Sequence, residues 1–130
     1  MKSNELRVGN LVTLQETVFK VLKINGEDNS IVAKSINKDT PDYITETLQP
    51  IPLTEEWLLK FGFQIYEHDK DEYYIYDTDH LVSLYKGING GYQRIINGYN
   101  DGIELNHVHQ LQNLYFALTG EELKQKDEKL

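Results

Sequence analysis

Pro50-Ile51-Pro52-Leu53-Thr54-Glu55-Glu56-Trp57-Leu58-Leu59-Lys60-Phe61-Gly62-Phe63 is the stretch on which the fold turns. Its two prolines fix their own φ and bias the residues before them away from helix, so residues 50–53 read as an extended connector. Thr54 then offers a hydroxyl to the exposed amides of a helix start, and Glu55 and Glu56 sit where the helix dipole favours negative charge. Leu53 and Leu58 are spaced to close a hydrophobic staple. Trp57, Leu58 and Phe61 make an apolar face, and Gly62 is placed to end the helix in a left-handed cap. The spacing predicts a two-turn helix, Glu55 to Phe61, with different organisation on either side.

Towards the N-terminus the pattern is that of short strands. Leu6 to Leu14 is apolar with a Gly9-Asn10 break. Thr17 to Ile24 is β-branched and alternates, with Val18, Lys20, Leu22 and Ile24 on one face and Phe19, Val21 and Lys23 on the other. Asn25-Gly26 and the polar residues behind it signal a turn. Ser30 to Ile36 reads as the return strand and Tyr43 to Leu48 as another. Residues 1–49 are therefore expected to form a small antiparallel β-lobe, SH3-like in its strand spacing.

Towards the C-terminus, Phe63–Glu67 and Tyr73–Asp77 flank a polar loop, His68 to Glu72. His80–Lys86, Tyr92–Ile96 and Ile103–Leu105 follow, separated by Asn-Gly and Gly-Gly turn signals at 89–91, 97–98 and 100–102. This predicts an antiparallel meander. Asn106 is placed to cap a last helix running to about Leu118, with Val108, Leu111, Leu114, Tyr115 and Leu118 on one stripe and Gly120 as its stop. The fold expected is α+β: an N-terminal β-lobe (1–49), a helix–meander–helix lobe sharing one core (50–123) and a frayed tail (124–130). Trp57, Leu58, Phe61, Leu111, Leu114 and Leu118 are the expected centre of that core.

Composition narrows the function. The 130 residues carry 21 acids against 13 bases, a net charge of −8, with two arginines, Arg7 and Arg94. Such a chain is a poor direct binder of nucleic acid, whose phosphates demand clustered positive charge. With no cysteine there is neither a disulfide framework nor a thiolate metal site. No apolar run approaches the ~20 residues that span a bilayer, and the first residues lack a signal-peptide pattern, so a cytoplasmic protein is expected.

The candidate site is where charge and aromatic content coincide. From Glu67 to Asp79 there are six acids and one base, a local net of −5. Four of the nine tyrosines lie in or beside that stretch. Tyr66, Glu67, Asp69, Asp71, Glu72, Tyr73, Tyr74, Tyr76, Asp77 and Asp79 are expected to form a docking face for a basic protein partner. Aromatic rings supply contact area at low entropic cost, and the carboxylates select positive charge.

Chemistry is harder to find. Asp77 and Asp79 would share one face of a strand and could hold a divalent cation if a third ligand came from elsewhere. His107-x-His109 has the wrong spacing for a zinc pair on a helix, which needs three or four residues. There is no phosphate-binding loop, dinucleotide fingerprint or nucleophile elbow. Neither a catalytic site nor a cofactor is expected.

Three stretches together carry a resemblance: Met1 to Asn10, Pro50 to Phe63, and Val108 to Leu123. In order and spacing they resemble a family of small phage and prophage proteins of Bacteroidota. That resemblance brings no catalytic residues to carry over. It implies a mobile-element context, in which small acidic proteins include inhibitors of host defence such as anti-CRISPR proteins. Type VI-B effectors, or their RNA complexes, are one target it suggests. The alternatives are a phage structural or regulatory interaction module and, on Asp77 and Asp79, a small divalent-metal-dependent enzyme.

Overall fold

The computed structural model describes residues 6–25, 27, 30–36, 42–44, 48–68, 71–75, 83–86, 91–96 and 99–125. It is an α+β fold with two antiparallel sheets and two helices. The chain divides into two compact units: residues 1–52 with 107–113, and residues 53–106 with 114–130. The expected boundary lay at residue 50 and left the last helix whole. The observed units divide that helix, and its first half groups with the N-terminal strands.

The first unit holds a four-stranded sheet in the order β1 (Leu11–Leu14), β2 (Thr17–Ile24), β3 (Ile31–Ser35), β4 (Asp42–Ile44). Before it, Arg7-Val8-Gly9-Asn10 is a turn and not a continuous strand: the Asn10 amide donates to the Arg7 carbonyl at 3.0 Å. Gly9 stands at φ +97°, the left-handed geometry that the third residue of a type II turn requires. The Gly9 amide donates to the Val21 carbonyl and the Val21 amide to the Asn10 carbonyl, so two residues oppose one in a glycine bulge.

The β1–β2 hairpin closes through Gln15 and Glu16, at φ +49° and +67°. Two consecutive left-handed residues are what a tight primed turn needs, although asparagine and glycine are its usual occupants. Asn25 and Ser30 close the β2–β3 turn by a backbone bond of 2.9 Å, and the Asn25 side chain accepts from the Glu27 amide at 3.0 Å.

β2 departs from the expected alternation. Val21 pairs with Ala33 and Lys23 with Val32, which leaves Leu22 as an extra residue. The extra residue reverses the phase of everything after it. Phe19, Val21 and then Ile24 face the core that Leu6, Val12, Ile31, Ala33 and Leu48 complete, while Leu22 and Lys23 are exposed. Beyond β4, Leu48 is buried and Gln49 exchanges both backbone hydrogen bonds with Thr13, at 2.9 and 2.8 Å. That bridge occupies the outer edge of β1. Of the expected strand Tyr43 to Leu48, residues 45–47 lie outside the described residues.

The second unit opens with α1 (Glu55–Lys60). The Thr54 hydroxyl accepts from the Trp57 amide at 3.4 Å. At the other end the Gly62 amide donates to the Leu59 carbonyl and the Phe63 amide to the Leu58 carbonyl, with Gly62 at φ +99°. This is the paired-bond C-cap that a left-handed glycine allows, and Leu58 and Phe63, the two positions at which such a cap favours apolar side chains, are both buried.

A five-stranded antiparallel meander follows: β5 (Gln64–His68), β6 (Asp71–Ile75), β7 (Ser83–Lys86), β8 (Tyr92–Ile96), β9 (Tyr99–Leu105). Pairing of β5 with β6 continues to His68 opposite Asp71, so two residues separate the strands and not the five expected. Asn100-Asp101-Gly102, expected as a turn, lies within β9. There the register with β8 shifts between Gln93 and Ile95, and a glycine-containing bulge takes up the excess.

The last helix, α2, spans Val108–Thr119 and is followed by Gly120 at φ +76°. Its cap is His107 and not Asn106: the Gln110 side chain accepts from the His107 amide at 3.0 Å, the return half of a capping box. Val108, Leu111 and Tyr115 are buried, whereas Leu114 and Leu118 are half-buried. Beyond the helix Leu123, the last residue of the expected lobe, is buried. Residues 126–130 lie outside the described residues.

Candidate protein-binding hairpin

The register of the second sheet decides which of the expected docking residues share a face. Directly opposed residues of antiparallel strands lie on one face, and successive rows alternate between faces. Tyr66, Tyr73, Tyr85, Gln93 and Glu104 form one continuous row across all five strands. Glu67, Glu72, Lys86, Tyr92 and Leu105 form the next row, on the opposite face. Ile65, Tyr74, Leu84 and Arg94 form a further row on that second face.

The two faces differ in burial where it is described. Leu84, Tyr92 and Leu105 are buried, so their face carries the core of this unit. On the other face Ser83, Tyr85, Gln93 and Ile95 are half-buried and Glu104 is exposed. The positions of Tyr66, Tyr73 and Asp71 therefore belong to the more open face, and those of Glu67, Glu72 and Tyr74 to the core-bearing face. The expected patch is divided by the alternation of the strands. Asp69, Tyr76, Asp77 and Asp79 lie outside the described residues.

Tyr85 was missing from the expected set. It is separated from Tyr73 by twelve positions of sequence and is brought beside it only by strand pairing. An aromatic in each of three neighbouring strands would have been legible only with the register known.

The charge pattern along the hairpin is unbalanced. In the strand register position Glu67 stands opposite Glu72, and Lys86 follows on the far side of Glu72. The row thus reads negative, negative, positive from the edge inwards.

The remaining candidates are structural in position. His107 caps α2 and its ring stacks on that of buried His109, with centroids 5.8 Å apart and planes at 16°. Among the described residues no three His, Asp or Glu side chains converge as a metal site would require. Among the same residues no helix is long and apolar enough to cross a membrane.

A polar cluster in the first unit escaped sequence reasoning altogether. Buried Asn10 accepts from the Arg7 amide at 2.6 Å and donates to the Asn113 side chain at 2.8 Å, which also takes the Arg7 guanidinium at 3.2 Å. Buried Gln112 accepts from the Leu11 amide and donates to the Gly9 carbonyl. These groups satisfy one another and hold the turn at 7–10 against α2, which is a folding role. Compared with known proteins, the chain matches no family model, no curated protein and no solved structure.

Proposed function

We propose that this chain is a non-enzymatic binding protein of phage origin that acts in the cytoplasm of its bacterial host. Its partner is a basic protein, and the β5–β6 hairpin is the contact. The observation that carries the reading is the row Tyr66–Tyr73–Tyr85, three aromatic positions side by side on the more open face, with Tyr73 inside the acidic segment Glu67–Asp79 and Tyr66 next to it. Rings in adjacent strands suit a contact surface, and the excess of carboxylates steers positive partners towards it. A host nucleic-acid-handling defence effector, of the anti-CRISPR target type and with a channel built to hold RNA, has the matching charge. The acidic chain competes there for phosphate-binding residues and does not bind nucleic acid directly.

The test is affinity capture from the host bacterium with the wild-type chain and a Tyr66→Ser/Tyr73→Ser variant as baits. The wild type is expected to retain a nucleic-acid-handling protein that elutes as salt rises. The variant is expected to lose it while keeping its circular dichroism. Equal retention by both baits, or retention of phage proteins alone, overturns the reading.

A further inference from the structure

The two sheets present four terminal strands, and they are not equivalent. The outer edge of β1 is occupied by Gln49, and β4 is three residues long. Where β9 ends, the Asn106 carbonyl accepts from the Leu53 amide at 2.9 Å. β5 is five residues long, terminal in its sheet, and in unbroken register with β6 from Gln64 to His68. It contains no proline, lysine or glycine. Such an edge is a template for another strand unless something on it discriminates among comers.

Glu67 is that discriminating residue. Its row runs Glu67–Glu72–Lys86, with two acidic positions at the outer end. A second copy of this chain pairing on β5 would bring a second acidic segment, Glu67 to Asp79 with its local net of −5, to the same edge. A strand with lysine or arginine opposite Glu67 would convert the row to positive, negative, negative, positive. We infer that β5 is a docking edge for an extended, basic peptide segment of a partner protein, added as a sixth strand with a cation opposite Glu67.

The backbone supports the same assignment. With two residues between His68 and Asp71, the closing pair of the hairpin is a hydrogen-bonded one. Gln64, Tyr66 and His68 then spend their backbone groups on β6, and those of Ile65 and Glu67 are turned to the outer side of the sheet, where no strand among the described residues pairs with them. The added strand takes its affinity from these main-chain groups and its selectivity from the charge row. This inference rests on the reading of the chain as a binder of a basic protein, and it specifies the mode of binding.

The test uses the full chain and a synthetic peptide of alternating lysine and valine, about ten residues long, which is enough to span an edge strand. A second peptide is identical but N-methylated on alternate amides, so its charge is kept and one row of donors is lost. Titrations followed by amide NMR are expected to perturb Ile65 and Glu67 most strongly. The methylated peptide is expected to bind at least about tenfold more weakly, as the loss of several main-chain hydrogen bonds requires. Glu67→Lys is expected to abolish binding, and Glu67→Gln to weaken it while the fold is kept.

Equal binding of the two peptides, or no binding of either, overturns the docking edge. So do perturbations confined to positions 73, 85 and 93, which would leave a binder that uses its open face. A dimer in sedimentation equilibrium that Glu67→Lys strengthens would assign the edge to a second copy of the chain. Failure of the host capture experiment alongside a positive peptide result would remove the defence target and keep the edge.

Discussion

The side-chain amide of Gln112 is joined to the backbone at both ends of Asn10: its Oε1 accepts from the Leu11 amide at 2.8 Å and its Nε2 donates to the Gly9 carbonyl at 3.1 Å. One helical side chain thereby replaces the strand partner that residues 9–11 lack on that side. Gln112→Leu preserves bulk and removes both bonds, leaving the buried Leu11 amide unpaired. Urea unfolding is expected to show a loss of about 2–4 kcal/mol, from an orphaned donor and a lost acceptor contact. A loss under about 0.5 kcal/mol, the level of an ordinary surface change, would show that water replaces the glutamine without difficulty.

Gly9 and the Gln15–Glu16 pair make opposite predictions from the same geometry. Gly9→Ala forces a Cβ into the left-handed region and is expected to cost about 1–2 kcal/mol. Gln15→Asn with Glu16→Gly supplies the residues a primed turn prefers and is expected to stabilise by roughly 0.5–1 kcal/mol. Thermal melts of the two variants should move in opposite directions.

Deleting Leu22 should leave the chain folded. Removing the bulge residue brings Phe19, Val21 and Ile24 into plain alternation, the side of β2 that already faces the core. The expected change is within about 1 kcal/mol, since an exposed side chain and an unpaired backbone position are removed. Deleting Lys20 instead shifts Phe19 out of phase with Val21 and should abolish cooperative unfolding. If the two deletions behave alike, the bulge is not what sets the phase of the strand.

Leu111 and Leu114 share a helix but not a burden. Leu111 is fully buried and Leu114 half-buried. Leu111→Ala is expected to cost about 2–5 kcal/mol and Leu114→Ala roughly half of that or less, in proportion to the apolar contact removed. Equal losses would place Leu114 at the centre of the core, where the helical stripe alone had put it.

The elements that local chemistry specifies were legible. Thr54, Glu55 and Gly62 announce the start and end of α1 because a cap is made between residues a few positions apart, and the same holds for Gly120 after α2. Antiparallel strands followed from turn signals and β-branched runs. At the candidate site, the acids and the tyrosines of the hairpin could be read, and so could their coincidence.

What sequence order could not supply was register, because pairing is settled between segments that are distant along the chain. The extra residue at Leu22 reverses the faces of β2, and nothing in Val21-Leu22-Lys23 marks it. The row from Tyr66 to Tyr73 to Tyr85 exists only when three strands are aligned, and the same alignment sends Glu67 and Glu72 to the other face. Gln112 is polar and so reads as exposed, yet it is buried because the Gly9 carbonyl and the Leu11 amide, either side of Asn10, need a partner. By itself the chain determined its helices, its turns and its negative charge, which are properties of neighbours. The tertiary structure decided which side chains share a surface, since a face is made by strands meeting and one added residue is enough to exchange it.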